Sequence, residues 1–299
     1  MSTNDFPSFE QPAIEIHPPV NDQPSTSPRL ARELDPNNPP WGIAQSLVTW
    51  FTSVVLLAII PLLVVMPYVL YKSWFLQQRP DNLMADKNFI VLSLLGVLPT
   101  HLLSFLVVWL VVTAAGQRPF WRTLGWSWPE NFGLWKSVFL AAGLFAFGWL
   151  ILRVFGGPET QLDQLINSSY YARLITAILA VSTGPLVEEL IYRGVLYSAF
   201  QRVFGMFWSV VLVSLLFTAV HVYQYYKNLG VIAVIAVLSV ALTLVRARTG
   251  KLLPSFVMHV VFNGIQAIFL VLQPFFEKHS AEQKVTVGYL LPLLGHLLR

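Results

Sequence analysis

The sequence has no cysteine and few charged residues. Of its 299 residues, 11% are Asp, Glu, Lys or Arg and 55% are apolar, whereas a soluble domain usually carries about 25% charged residues. Without cysteine the chain has no disulfides, thiolate metal sites or cysteine nucleophiles. The net charge of +4 is small and is spread over connecting segments, so we predict no nucleic-acid partner. The composition predicts an all-α, polytopic integral membrane protein that lies in the lipid bilayer.

Proline is concentrated at the start of the chain. The first 40 residues hold nine of the 20 prolines, with Ser, Asn, Asp and Gln between them. Such a composition buries too little apolar surface to offset the entropy lost on ordering. We therefore predict a disordered, solvated tail over residues 1–44.

Long apolar runs fill the rest of the sequence. A membrane-spanning helix needs about 20 apolar residues, and seven runs meet this length: 47–71, 89–115, 134–155, 172–202, 207–226, 229–246 and 253–273. We expect the Gly184-Pro185 pair to kink the fourth run, because proline removes a helical hydrogen bond. A shorter run over 285–298 is a half-span, an interfacial helix or an eighth span. The prediction is a bundle of about seven or eight transmembrane helices.

The apolar runs and the position of the buried polar groups divide residues 45–299 into three parts. N-terminal transmembrane helices occupy residues 45–170, a core that carries buried polar groups occupies 171–273, and a C-terminal membrane segment occupies 274–299. Between the second and third runs, residues 118–136 combine basic residues with tryptophans. This segment is either an amphipathic helix on the membrane surface or an ordinary loop.

Three charged residues lie close together inside an apolar run. They are Glu188, Glu189 and Arg193. One ionised side chain at the bilayer centre costs about 2.5–3.5 kcal/mol or more, so the three must face a protein interior or a wet cavity. Glu189 and Arg193 are four residues apart and share one helix face, whereas Glu188 points about 100° away. The group is either a reactive site or a buried ion network that only holds helices together.

Two other apolar runs contribute histidine. His221 lies near the end of one run, and His259 and Asn263 are four residues apart in another. A single histidine on an apolar helix is more often a hydrogen-bonded core residue, and we expect His101, after Pro99, to bond a kinked backbone. The combination of glutamate, histidine and asparagine on three helices points to a reactive site instead, because these residue types activate water and stabilise an oxyanion.

These residues form three motifs that resemble one family. Residues Glu188–Arg193 match the EExxxR signature of the CPBP intramembrane proteases, the CAAX-protease and bacteriocin-processing group with an Rce1-type core. Residues Phe217–His221 match its FxxxH motif, and His259–Asn263 match its HxxxN motif. The three occur in the family's order, and the resemblance covers about residues 171–273. It implies that this core is the catalytic part.

The resemblance also implies a role for each motif residue. Glu188 corresponds to the residue that activates water, with His221 beside it. Glu189 and Arg193 correspond to residues that support this pair. The last two positions, His259 and Asn263, correspond to groups that bind the oxyanion or complete the site.

The sequence is compatible with both a zinc-dependent and a metal-free reaction. Glu188, His221 and His259 could ligate a zinc ion. If Glu189 pairs with Arg193, however, no carboxylate is left to act as base. A metal-free route in which Glu188 and His221 polarise water uses each residue once, and we favour it slightly over zinc.

The resemblance implies an intramembrane endopeptidase that cleaves a membrane-associated peptide or protein. Its expected location is a bacterial plasma membrane, where the protein crosses the bilayer several times. Two alternatives are a non-catalytic scaffold or bacteriocin-immunity protein and a proton-coupled transporter that uses the same buried charges.

Overall fold

The computed structural model describes residues 35–78 and 83–277, and every regular element in these ranges is helical. The α-helices are α1 (Ile43–Leu70), α2 (Lys87–Leu95), α3 (Val97–Thr113), α4 (Phe120–Thr123), α5 (Leu134–Phe155), α6 (Gln161–Asn167), α7 (Tyr170–Val181), α8 (Thr183–Glu189), α9 (Tyr197–Tyr225), α10 (Leu229–Thr249) and α11 (Leu253–Glu277). Two π-helices lie at Tyr71–Phe75 and Leu190–Leu196, and a short 3₁₀-helix lies at Leu83–Ala85. The all-α prediction is confirmed.

The helices are long and apolar enough for a multi-pass membrane protein. Six helical stretches in the described ranges meet the length and composition of a membrane span. One of them, Tyr170–Tyr225, has 56 residues and as a straight helix would be about 84 Å long, well beyond a hydrocarbon core of about 30 Å. The multi-pass membrane prediction is confirmed, and the predicted number of seven or eight is approximate. The run 285–298 lies outside the described residues.

Two breaks divide that 56-residue stretch. Ser182 has φ −120° and ψ −96°, and Gly205 has φ 72° and ψ 175°, so neither is helical. The first break lies two residues before the predicted Gly184-Pro185 kink. Pro185 falls in the first turn of α8, where a missing N–H removes no helical hydrogen bond. The stretch therefore consists of three helical pieces, 170–181, 183–204 and 206–225, and the second break separates the predicted runs 172–202 and 207–226.

Residues 35–42 form a strap across the helices instead of belonging to a solvated tail. The guanidinium of Arg246 donates to Asn37 Oδ1 at 2.8 Å and to Pro36 O at 2.9 Å. Trp41 is 2% exposed, and its indole donates to Val195 O at 3.0 Å. These contacts are long-range in sequence, which is why local composition does not reveal them. The remainder of the predicted tail, residues 1–34, lies outside the described residues.

The segment 118–136 is mostly loop. Its helical parts are the single turn α4, which Gly125 follows with φ 71°, and the first three residues of α5. Phe120 and Leu124 are buried in the protein core, so this side of the segment packs on helices and not on lipid. Of the two interpretations of this segment, a surface helix or a loop, the structure favours the loop.

The main core surrounds the second π-helix. Every residue from Glu189 to Phe200 is buried, and α1, α3, α8, α9 and α10 all contact the π-helix Leu190–Leu196. On the other side, α10 approaches α5 closely: a Cβ at Gly230 would lie 2.5 Å from Phe155 O. Helix α10 thus packs between α5 and the π-helix that carries Arg193.

Candidate active site

A buried ion pair lies at the base of the site. Glu189 and Arg193 are both fully buried, and Arg193 Nη1 donates to Glu189 Oε1 at 2.9 Å. Side chains of α10 accept hydrogen bonds from the other two nitrogens of the guanidinium: Arg193 Nη2 donates to Ser239 Oγ at 3.0 Å, and Nε donates to Thr243 Oγ1 at 3.3 Å. A buried charge is tolerated when it is paired and its other donors are satisfied. The i,i+4 contact expected from helix geometry is present.

His259 bridges the two glutamates. Its Nδ1 is 3.0 Å from Glu189 Oε1, and its Nε2 is 3.5 Å from Glu188 Oε2. The imidazole is almost fully buried, whereas 31% of the Glu188 side chain is exposed. A carboxylate held by Arg193 only accepts hydrogen bonds, so Nδ1–H of His259 must be the donor to Glu189. The ring is thereby fixed with Nε2 toward Glu188.

The exposed part of Glu188 faces a cavity of about 210 Å³. Four of the six predicted site residues line this cavity, namely Glu188, His221, His259 and Asn263. Glu189 and Arg193 lie behind it. Most of the remaining wall is apolar and comes from α5, α6, α9, α10 and α11: Leu152, Leu162, Phe217, Val231, Val234, Ile235, Leu238, Phe262 and Leu270. A few polar groups on an apolar wall are typical of a binding or reaction site.

Backbone contacts orient His221 and Asn263, the other two predicted site residues that line the cavity. His221 Nδ1 lies 2.8 Å from the carbonyl oxygen of Phe217, so Nδ1–H donates there and Nε2 keeps its lone pair. Asn263 Nδ2 donates to Ala180 O at 2.9 Å. A side-chain amide has two N–H groups, and one of them is left after that bond. His221 Nε2 and the second N–H of Asn263 therefore stay available to a ligand in the cavity.

Zinc dependence stays a prediction from sequence, and the structure shows how its candidate ligands are placed. In the described ranges, no three His, Asp or Glu side chains are grouped so that they could hold one metal ion. Glu189 is engaged by Arg193 and by His259 Nδ1. His259 Nε2 lies 3.5 Å from Glu188 Oε2, and no third carboxylate or imidazole of the described residues is grouped with this pair.

Sequence reasoning missed two supporting residues and misjudged a third. Ser239 and Thr243 hold Arg193, and their i,i+4 spacing on an apolar helix was a signal that could have identified them. His101 was expected to bond the backbone, but its Nδ1 lies 2.8 Å from the side-chain oxygen of Thr183. That contact joins α3 to the first residue of α8, five residues before Glu188.

Comparison with protein families identifies a match over the part of the chain that carries the three motifs. The family model for type II CAAX prenyl endopeptidases, Rce1-like, matches residues 170–265. Residues 170–265 are therefore similar to this family, and we call them the Rce1-like segment. It holds all three motifs and most of the residues around the cavity. A search of the curated proteins and a search of the solved structures each found no match.

The Rce1-like segment spans about one third of the chain, from α7 into α11. At the level of the family, the match supports a CAAX-type intramembrane protease. The strap and helices α1 to α6 lie before the matched residues, so what they add to the site has to be derived from their contacts.

Proposed function

We propose that this protein is an intramembrane endopeptidase that hydrolyses a peptide bond in a membrane-associated peptide or protein. The observation that carries the proposal is the cavity of about 210 Å³ in which Glu188, His221, His259 and Asn263 meet. A base, an imidazole and two oxyanion donors in one cavity are the groups that amide hydrolysis needs. The Rce1-like segment that carries them supports the same reaction class.

In the proposed reaction, Glu188 is the general base. It is the least buried of the site's charged groups, and it can therefore contact water in the cavity. Water donates one proton to Glu188 while its oxygen attacks the scissile carbonyl carbon, and His221 Nε2 accepts a hydrogen bond from the same water. The C–N bond then breaks, and the proton on Glu188 moves to the leaving amine.

The carbonyl oxygen that becomes negative is stabilised by two other groups that line the same cavity. Asn263 supplies the N–H that Ala180 does not use, and His259 supplies Nε2–H. With Nδ1–H bonded to Glu189, this role requires His259 to carry a hydrogen on both ring nitrogens, and each nitrogen faces a carboxylate. Fixed donors of this kind act strongly in a site shielded from water.

We expect hydrolysis to be independent of metal. Every step above uses a side chain that reaches the cavity, and no three carboxylate or imidazole groups of the described residues are placed around one point. Treatment of the purified protein with a strong zinc chelator should leave its turnover number unchanged. Loss of activity with the chelator, restored by added zinc, would contradict the metal-free route.

The cleaved bonds can be located before any substrate has been identified. Membranes from cells that contain the wild-type chain should show new protein N-termini that are absent when the chain carries Glu188→Ala. The measurement is a mass-spectrometric comparison of N-terminal peptides at matched protein levels. Identical N-termini in both samples, with an unchanged phenotype, would favour the scaffold alternative over hydrolysis.

A further inference from the structure

Two tryptophans from outside the Rce1-like segment bond to its π-helix. Trp41 in the strap donates its indole N–H to Val195 O at 3.0 Å. Trp50 in α1 donates to the hydroxyl of Tyr192 at 3.1 Å. Both acceptors lie in Leu190–Leu196, directly after the two glutamates. The N-terminal part of the chain therefore supplies hydrogen bonds to the segment that carries the motifs.

The bond from Trp50 satisfies a group that is otherwise enclosed by apolar side chains. Tyr192 is 5% exposed and belongs to the main apolar core. A buried hydroxyl without a partner is costly, and more so than a position with no hydroxyl at all. Trp50 is itself half-buried and reaches Tyr192 across the interface between α1 and the π-helix. Its N–H therefore fixes where the Tyr192 ring sits.

The Tyr192 ring sets the position of Phe217. The two rings meet edge to face with centroids 5.0 Å apart. Phe217 in turn lies 4.8 Å from the ring of His221 and 6.1 Å from the ring of His259, measured between centroids. The guanidinium carbon of Arg193 lies 4.6 Å from the centre of the Phe217 ring. Phe217 is thus in contact with both imidazoles and with the ion pair behind them.

We propose that Trp50 is a positioning residue for the hydrolytic site. Its hydrogen bond orients Tyr192, and the packed rings of Tyr192 and Phe217 transmit that orientation to His221 and His259. Trp41 holds the same π-helix from its other end through Val195 O. The proposal rests on the hydrolytic function proposed above, and it assigns part of the site to residues that precede the family match.

Kinetics of the full-length protein in nanodiscs test this role. The substrate is a fluorogenic peptide that contains a bond identified from the N-terminal comparison. Trp50→Phe keeps an aromatic ring but removes the N–H, and we expect kcat to fall about tenfold with little change in KM, because small errors in catalytic geometry reduce the rate of the chemical step. The double variant Trp50→Phe/Tyr192→Phe should be closer to wild type, because no hydroxyl is left unpaired.

Trp149→Phe is the matched control. The Trp149 indole nitrogen is buried and has no hydrogen-bond partner in the part of the chain that the structure describes. Its replacement removes an N–H of the same kind without removing a bond, so kcat should stay at the wild-type value. If Trp50→Phe and Trp149→Phe have equal kcat, or if Trp50→Phe only lowers the folded fraction while kcat per folded molecule is unchanged, the proposal is wrong.

A second measurement does not depend on hydrolysis. Selective ¹⁵N labelling of histidine gives imidazole NMR signals for His221 and His259 in each variant. Trp50→Phe should shift these signals, the double variant should return them toward wild type, and Trp149→Phe should leave them in place. If the wild-type chain cleaves nothing, the proposed function fails but these shifts still establish the coupling; unshifted signals in Trp50→Phe overturn it.

Discussion

The variant Glu188→Gln should lose turnover by about 10²–10⁴-fold, the range contributed by a positioned acid or base. Glutamine has the same shape and can still contact His259, but its amide cannot accept the proton of water. KM should change little, because the substrate contacts of the cavity wall remain. The measurement is steady-state hydrolysis of a peptide whose cleavage site has been located in membranes.

Glu130→Gln provides the control for this substitution. Glu130 is exposed in the loop before α5, so the same chemical change there should leave kcat and KM unaltered. If folded Glu188→Gln has the turnover of the wild type, Glu188 is not the general base. Equal losses in both variants would point to an effect of preparation and not of the site.

The largest expected effect on stability comes from Glu189→Ala. This variant leaves Arg193 fully buried without its carboxylate, and breaking a buried pair by removing one partner typically costs about 3–5 kcal/mol. The free energy of unfolding, measured with denaturant in detergent micelles, should fall by that amount. His259 also loses the acceptor for Nδ1–H, so any protein that remains folded should be inactive.

Two further variants test whether the loss of stability comes from an unpaired buried charge or from the loss of any ion pair. Glu189→Leu/Arg193→Met removes both charges and should recover much of the stability, because no buried ion is left unpaired, but it should not recover activity. Lys72→Met breaks the Lys72–Asp86 pair, whose side chains are 27% and 16% exposed, and should change stability little. If Glu189→Ala is as stable as Lys72→Met, the ion pair does not hold the core.

Much of the arrangement could be predicted from sequence because helix geometry is local. The runs 47–71 to 253–273 lie on helices, and the four-residue spacing of Glu189 and Arg193 is enough to bring them together. The same geometry turns Glu188 about 100° away from that pair, and its side chain faces the cavity. Three polar motifs on apolar helices had to share an interior, since lipid cannot solvate them.

The parts that sequence did not reveal depend on tertiary contacts. Adjacent glutamates diverge on a helix, yet His259 touches both, because the two nitrogens of one imidazole lie on different edges of the ring. The π-helix adds a residue to its turn at Leu190–Leu196 within a fully packed core, and nothing in the local composition signals it. The contacts of Arg246 and Trp41 with distant residues likewise have no local signature.

The strap has a consequence for how far the motif-bearing third of the chain can act alone. Arg246 lies within that third, is completely buried, and takes backbone and side-chain oxygens of residues 36 and 37 as its hydrogen-bond acceptors. A fragment limited to the matched helices would hold a guanidinium in an apolar interior with those acceptors missing, and would also lack the indole donors to residues 192 and 195. Transplanting the three motifs into another membrane scaffold would therefore require residues 36–50 to be carried with them.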